Sequence, residues 1–171
     1  MEKDTQYMFK ISSEKGNGGY FGFTVVEMIT VMAIIGILSA IMIPKYVETV
    51  QSMRLMNAGD KITDDIRLIY NQSIVEHDTT WFVADVANNN YGIYKGPTPG
   101  TRTLILDPST NQQSVINISE AFPGVTMTNV NFGGNTEFMY DWWGTPSSGG
   151  VIELNNSLTI TVVPETGYVY E

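Results

Sequence analysis

The hydrophobic pattern divides the chain into a continuous apolar segment, an amphipathic helix and a series of short alternating stretches. The apolar segment covers residues 23–43, FTVVEMITVMAIIGILSAIMI, and holds a single charged residue, Glu27. A helix of this length reaches about 31 Å, close to the roughly 30 Å hydrocarbon core of a bilayer. The segment therefore predicts a transmembrane helix. Two other interpretations stay open: a buried core helix, and a secretory signal peptide that is cut after Ala40.

A proline and an amphipathic pattern follow the apolar segment. Pro44 either ends the helix or kinks it, because proline lacks an amide hydrogen and its ring crowds the preceding turn. Farther on, apolar residues recur at spacings of three and four, so the helix is predicted to resume and to reach about Glu76. This stripe consists of Leu55, Ala58, Ile62, Ile66 and Ile69. Asp64 and Asp65 are neighbours in the sequence and are predicted to lie on the solvated face.

After Asp78 the apolar period changes to two, which predicts β-strands. Turns rich in Gly, Pro and Asn separate the predicted strands. Nine strands are expected, at 80–86, 91–94, 103–106, 115–118, 125–131, 137–142, 151–154, 158–163 and 168–170. No helical pattern interrupts them, so antiparallel hairpins are expected. The predicted fold class is α+β, a long N-terminal helix packed on a C-terminal antiparallel β domain.

Composition excludes most kinds of catalytic site. The chain has 171 residues, 16% of them charged, no cysteine and a single histidine, His77. Disulfides, thiolate nucleophiles, cysteine-ligated metals and sites with two imidazoles are therefore excluded. No phosphate-binding loop, zinc-binding helix or serine elbow is present. No catalytic residue and no cofactor is predicted, and His77 is expected to be a surface residue or to cap the C-terminus of the helix.

The charge distribution limits the choice of partners. The net charge is −9, and all nine Lys and Arg residues lie at or before Arg102, whereas seven acidic residues follow it. A C-terminal half without cations cannot neutralise phosphates, so nucleic acid is not an expected partner. Side-chain oxygens of the kind that coordinate calcium ions occur on Asn129, Asn131, Asn135 and Glu137. Strand alternation explains these residues equally well, and no metal is predicted.

Two adjacent tryptophans are candidates for a partner contact. Trp142 and Trp143 precede a loop rich in Gly and Pro. Tryptophan is enriched at interfaces because its ring is large and apolar and carries one polar edge. One indole is expected to fill the core and the other to contact a partner.

Glu27 is the unusual residue of the apolar segment. A carboxylate in an apolar span is disfavoured by several kcal/mol unless it is paired or protonated. No cation lies within helical reach of Glu27. Its partner is therefore expected to come from another chain, or from a new α-amino group that cleavage creates close by.

The residues around Glu27 resemble a known processing motif. Gly22-Phe23-Thr24-Val25-Val26-Glu27, followed by the apolar segment, is similar to the motif of the type IV pilin superfamily, also called class III signal peptides. The resemblance implies that a prepilin peptidase cuts between Gly22 and Phe23 and methylates the new amino group of Phe23. Glu27, together with Thr24, would then serve subunit assembly, and Glu27 would pair with the N-terminal ammonium of a neighbouring subunit.

The same resemblance implies a division of the chain. Residues 1–22 would be the leader peptide and residues 23–43 the transmembrane and filament-core helix. Residues 44–78 would be the amphipathic half of the long helix, and residues 79–171 a periplasmic β domain. The whole would have the lollipop shape of a pilin.

The last strands resemble a particular subfamily. The stretch from Gly150 to Tyr170 looks like the closing strands of H-type minor pseudopilins of type II secretion systems and of related minor pilins. This implies a minor subunit, initiating or tip, of a type II secretion pseudopilus or type IV pilus, held in the inner membrane by one span. Implied partners are the prepilin peptidase, other pilin or pseudopilin subunits and the inner-membrane assembly platform. A major filament subunit, a minor pilin that binds DNA in uptake and a membrane-anchored enzyme remain as alternatives.

Overall fold

The computed structural model describes residues 22–106 and 115–171. The chain forms two compact units, one that ends at Met42 and one that spans Ile43–Glu171. Most of the predicted leader, residues 1–21, and the connection between the third and fourth predicted strands, residues 107–114, lie outside the described residues.

The first element is a long helix, α1, which spans Val25–Glu76 and contains 52 residues. Its end at Glu76 confirms the predicted boundary. Pro44 lies inside α1, so the alternative in which Pro44 ends the helix is wrong. A proline removes one hydrogen bond from the helical ladder, while the turns on either side keep theirs. The kink at Pro44 stays a prediction.

The C-terminus of α1 is closed by a Schellman motif. His77 has a φ of +52°, in the left-handed region, and the N–H of Asp78 donates to the carbonyl of Ser73 at 3.3 Å. His77 thus takes the place that glycine usually fills. The expected capping role of His77 is confirmed, but the cap is made by the backbone rather than by a charged imidazole.

Two antiparallel sheets follow the helix. The first is built from β1 (Thr80–Asp85), β2 (Asn90–Lys95), β3 (Thr103–Leu104), β4 (Ile116–Asn117) and β6 (Glu137–Tyr140). The second is built from β5 (Met127–Asn131), β7 (Gly150–Leu154), β8 (Leu158–Val162) and β9 (Val169–Tyr170). The strand orders are β3-β2-β1-β6, with β4 also beside β2, and β5-β7-β8-β9. All pairs are antiparallel, as predicted, and each strand end lies within two residues of the predicted one.

One short helix interrupts the strands, where the sequence pattern predicted none. This helix, α2, spans Ile118–Ala121 and begins inside the predicted fourth strand. The side chain of Asn117 accepts the N–H of Glu120 at 3.3 Å and caps it. A single turn of helix is too short to show a period of 3.6, so only its cap residue marks it in the sequence.

The core of the second unit lies between the buried stripe of α1 and the inner faces of the strands. The predicted stripe is confirmed, since Ala58, Ile62, Ile66 and Ile69 are buried and Leu55 packs at their edge. A chain of aromatic rings faces them, with centroids 4.5–6.1 Å apart, from Phe82, Phe132, Phe138, Tyr91 and Tyr140. Burial of each large ring contributes about 1.5–3 kcal/mol, so this cluster holds helix and sheet together.

The two neighbouring aspartates of α1 have different surroundings. Asp64 is solvated as predicted, with 73% of its side chain exposed, but Asp65 is only 4% exposed, and the prediction for Asp65 is wrong. The carboxylate of Asp65 accepts the hydroxyl of Tyr91 at 2.6 Å and the ammonium of Lys61 at 2.7 Å. Asp65 lies three residues after Ile62, which places it on the buried stripe. Its burial is possible because both carboxylate oxygens are hydrogen bonded.

Candidate assembly surfaces

The first candidate surface is the apolar segment at the start of α1. Its large apolar side chains are exposed in the single chain, from Phe23, which is 78% exposed, to Ile43. Within the described parts of the chain, α1 is the one helix that could cross a membrane by length and composition, and none of its most apolar 18-residue window is buried. Such a surface is unfavourable in water and favourable against lipid or other apolar helices.

Thr24 and Glu27 form a reciprocal capping box at the start of this helix. Thr24 Oγ1 accepts the N–H of Glu27 at 3.2 Å, and Glu27 Oε2 accepts the N–H of Thr24 at 3.5 Å. Two amides that would otherwise lack a partner at the helix N-terminus are thereby satisfied. The spacing Thr-x-x-Glu is the sequence signature of this box, so this local role of Glu27 was predictable from the sequence alone.

The structure brings four predicted site residues together at this helix start. Gly22 and Phe23 directly precede the capping box of Thr24 and Glu27, and among the described residues no atom beyond the chain neighbours of Gly22 lies within 4 Å of the position that a Cβ there would take. The carboxylate of Glu27 therefore has a role within its own chain. A carboxylate has about four acceptor sites, so this contact is compatible with a second partner. The ion pair with a neighbouring ammonium stays a prediction.

The second candidate surface is the turn after β6. The strand predicted to reach Trp142 ends at Tyr140, because the next residue, Asp141, turns the chain. Asp141 Oδ1 accepts the N–H of Trp143 at 2.9 Å and that of Thr145 at 2.8 Å. Aspartate is favoured at such positions because its short side chain competes with the strand for backbone amides.

Both indoles of this turn face solvent. Trp142 and Trp143 are 47% and 69% exposed, and their ring centroids are 4.2 Å apart. The expectation that one of them fills the core is wrong. The turn instead meets α1 through Gly144, where an added Cβ would lie 2.9 Å from the side chains of Tyr70 and Ile74. Glycine allows this close approach and leaves the indoles outside, while their role as a partner contact stays a prediction.

Strand register places the turn after β6, which contains Trp142 and Trp143, beside the end of α1. Thr80, the first residue of β1, is paired with Lys95 on one side and with Tyr140 on the other. The residues between α1 and β1 therefore lie at the same end of the sheet as the turn that follows Tyr140. The ring of His77 lies 6.3 Å from that of Trp142, which confirms this placement.

The charges at this end of the sheet are mostly negative. Lys95 Nζ forms an ion pair with Glu76 and lies 4.0 Å from Asp78. The hydrogen bond to Glu76 raises the pKa of Lys95, so its ammonium stays charged at neutral pH. With Asp141 in the turn, three carboxylates share this region with one ammonium.

Two of the residues considered for a calcium ion, Glu137 and Asn131, use their side-chain oxygens for contacts within the fold. Glu137 Oε2 accepts from the guanidinium of Arg102 at 3.0 Å, and Asn131 Oδ1 accepts the N–H of Gly134 at 2.8 Å. Within the described residues, no group of three or more His, Asp or Glu side chains is arranged to hold a metal ion.

A cleft of about 480 Å³ lies beside α1 and the turn between β8 and β9. It is lined by Arg67, Tyr70, Asn71, Thr166, Gly167, Tyr168 and Val169. This lining contains neither a carboxylate nor an imidazole, the groups that most often carry out general acid and base catalysis.

Comparison with known proteins identifies the fold. No protein-family model and no curated protein sequence matches the chain. Two solved structures of the minor pseudopilin EpsH, from the type II secretion system of Vibrio cholerae, are similar in three dimensions. They share 8% and 9% sequence identity with this chain, with TM-scores of 0.53 and 0.52, and the alignments cover 68% of this chain and 94% and 92% of the EpsH chains. The predicted α+β fold is confirmed, and it is the pilin-like fold of a minor pseudopilin.

Proposed function

We propose that this chain is a filament subunit of the pilin type, not an enzyme. In this proposal it is cut after Gly22, N-methylated at Phe23 and assembled as a minor, initiating or tip subunit of a type II secretion pseudopilus or type IV pilus. The observation that supports this most is an apolar helical segment exposed along its length in a chain whose fold is that of a minor pseudopilin. The cleft beside α1, whose lining has neither a carboxylate nor an imidazole, gives no support to the enzyme alternative.

The apolar segment would have two environments in turn. Before assembly it would span the inner membrane, with residues 79–171 in the periplasm. During assembly the prepilin peptidase would remove residues 1–22, and the assembly platform would pass the helix from lipid to the filament core. Lipid is as apolar as the core, so close helix packing and polar contacts, rather than the hydrophobic effect, would favour this transfer.

Glu27 would supply the polar contact. In a low-dielectric filament core, a carboxylate and the ammonium of a methylated Phe23 on the neighbouring subunit attract each other strongly, and each compensates the cost of burying the other. The capping box would hold the carboxylate at the helix start, since its geometry is fixed by Thr24 of the same chain.

The mature N-terminus tests the processing step. Mass spectrometry of the membrane-bound protein is expected to give a first peptide that begins with N-methyl-Phe23. A first peptide that begins at Ile41 would instead show an ordinary signal peptide and overturn the proposal. A Gly22→Ala variant is the matched substrate control, and its leader is expected to remain in place.

Variants of Glu27 separate its two roles. Glu27→Gln keeps an acceptor for the capping box but removes the charge, whereas Thr24→Ala removes the box and keeps the charge. All variants are expected in the membrane fraction. Incorporation into filaments should fall at least about tenfold for Glu27→Gln and Glu27→Val, because breaking one buried ion pair costs about 3–5 kcal/mol. Thr24→Ala should incorporate within a few-fold of the unchanged protein.

The opposite pattern would contradict the ion pair. If Glu27→Gln joins filaments normally while Thr24→Ala does not, the carboxylate acts through the helix cap alone. If both variants assemble normally, neither contact is needed for assembly.

A further inference from the structure

The exposed pair Trp142 and Trp143, called here the indole platform, has chemistry that selects one kind of partner. We propose that the indole platform is a docking surface for a basic segment of another protein, in which an arginine or lysine side chain stacks on the exposed indole faces. The inference does not depend on filament assembly, because every residue that carries it lies in the unit spanning Ile43–Glu171.

The platform is held in place before any partner arrives. Besides the two bonds to the Asp141 carboxylate, the N–H of Gly144 donates to the carbonyl of Asp141 at 2.9 Å, and the N–H of Asp141 donates to the carbonyl of Thr145 at 3.0 Å. Gly144 fixes the turn against α1. A rigid turn loses little conformational entropy on binding, which favours its use as a contact surface.

Aromatic faces surrounded by carboxylates attract cations. The electron-rich face of an indole binds Arg and Lys better than any other side-chain ring does. At this end of the sheet, the described residues include three carboxylates, on Glu76, Asp78 and Asp141, and the ammonium of Lys95. Arg102 also lies here, beside Gly96, but its charge is balanced by Glu137. An incoming guanidinium or ammonium would therefore meet both a ring face and a negative potential.

The same sheet already contains this arrangement within the chain. The guanidinium of Arg102 lies 5.2 Å from the ring centre of Trp81 and 5.0 Å from that of Tyr94. Its charge is balanced by Glu137, at 3.0 Å. Stacking of a cation between aromatic faces with a carboxylate beside it is thus a geometry that this sheet supports.

Other occupants fit less well. Nucleic acid and anionic lipid headgroups would be repelled by the carboxylates. A second copy of this chain has no Lys or Arg after Arg102, so the C-terminal part of that copy offers no cation to the platform. A basic segment from a different protein is the occupant that matches the charge.

A peptide titration tests the proposal on the full chain in neutral detergent. The probe is a fluorescent peptide, Gly-Arg-Gly-Arg-Gly, compared at physiological salt with the same peptide in which citrulline replaces both arginines. Citrulline keeps the shape and removes the charge. The arginine peptide is expected to bind at least about tenfold more tightly, and Trp143→Leu should weaken its binding about threefold to tenfold. Tyr168→Leu, another exposed aromatic side chain, is the matched control and should change nothing.

A second set of variants tests the charges. Glu76→Gln is expected to weaken binding of the arginine peptide about threefold. Glu120→Gln makes the same change of net charge on α2, which packs on Asn89 at the opposite end of the β1–β2 hairpin, and should have no effect. Unfolding curves of all variants establish that the fold is kept.

Three results would overturn the proposal. Equal binding of the citrulline peptide would show apolar docking, and equal effects of Glu76→Gln and Glu120→Gln would show attraction by net charge alone. Sedimentation that shows self-association of the unchanged chain, lost in Trp143→Leu, would show that a second copy occupies the platform.

Discussion

The two units of this chain place the same kinds of side chain in opposite surroundings. Phe23, in the first unit, is 78% exposed, whereas Phe138, in the second, is 1% exposed. Phenylalanine is equally hydrophobic at both positions, so hydrophobicity alone does not decide burial. The second unit pairs a helical stripe with two sheets that cover it. In the described part of the first unit, residues 22–42, the large apolar side chains are exposed, and no described residue of that unit covers them. The second unit therefore has its own core, whereas the exposed apolar segment is favoured against lipid or other apolar helices.

Substitution of these two phenylalanines tests the difference between the two units most directly. Phe138→Ala removes a ring at the centre of the aromatic cluster and should lower the free energy of unfolding by about 3–5 kcal/mol. Phe23→Ala should leave it unchanged, because the side chain of Phe23 is 78% exposed. Urea unfolding of the full chain in neutral detergent, followed by tryptophan fluorescence, measures both. An equal loss in both variants would show that the two units share one core.

The buried polar contacts of the second unit give the next largest effect. Asp65→Ala removes the carboxylate that accepts from Tyr91 and Lys61, and should cost about 2–3 kcal/mol of unfolding free energy. Asp64→Ala, one residue earlier on the exposed face, should cost less than about 0.5 kcal/mol. The same unfolding experiment compares them. Equal costs would mean that the burial of Asp65 contributes nothing to stability.

Alkaline pH gives a smaller effect that is again confined to the second unit. Burial raises the pKa of the Tyr140 phenol, and the neighbouring Tyr70 raises it further. The phenol donates to the carbonyl of Gly167 at 2.8 Å and is kept protonated in the folded chain. In the unfolded chain it ionises near pH 10, so the stability it contributes is fully present below about pH 10 and is lost as pH rises through the folded pKa.

A phenylalanine variant isolates this contribution. Tyr140→Phe should cost about 1 kcal/mol at neutral pH, through the lost hydrogen bond, and should show a shallower fall of stability above pH 10. Unfolding free energies between about pH 9 and about pH 11 measure the two slopes, about one decade of hydroxide on either side of the ordinary tyrosine pKa. Identical slopes would show that other groups cause the alkaline loss.

The smallest expected effect is a gain in stability. His77→Gly places glycine at the left-handed position that closes α1, and should stabilise the second unit by about 0.5–1 kcal/mol. His77→Ala is the control, since alanine keeps the unfavourable contact of its Cβ at positive φ and should bring no gain. Thermal unfolding measures both variants. Equal midpoints for glycine and alanine would show that the left-handed backbone costs nothing here.

Elements that repeat a pattern over many residues could be predicted from the sequence. The apolar segment, the stripe from Leu55 to Ile69 and the alternating strands each contain enough residues to show their period. Single side chains that accept hydrogen bonds from nearby backbone amides were harder to predict. Asp141 ends a strand and Asn117 begins a helix, and each is one polar residue inside a β-like pattern. Asp65 looked solvated because the residue that justifies its burial, Tyr91, lies 26 positions away.

The two candidate sites also differ in how much of each could be predicted from the sequence. The cluster of Gly22, Phe23, Thr24 and Glu27 is local in sequence, so its residues could be found from their order alone. The charges around the indole platform could not be predicted from residue order, because Glu76 and Asp141 come together only through the pairing of Thr80 with Tyr140. Exposure of both indoles likewise depends on Gly144, whose contact with α1 joins distant parts of the chain.

The capping box has a consequence for the substrate of the proposed cleavage. Because the side chains of Thr24 and Glu27 start the helix at Val25, the peptide bond between Gly22 and Phe23 lies outside the helical ladder. A protease binds its substrate as an extended strand, and a bond inside a helix must first be unwound. The two residues that fix where α1 begins would therefore also leave the proposed scissile bond open to a peptidase, and cleavage there would need no unwinding of α1.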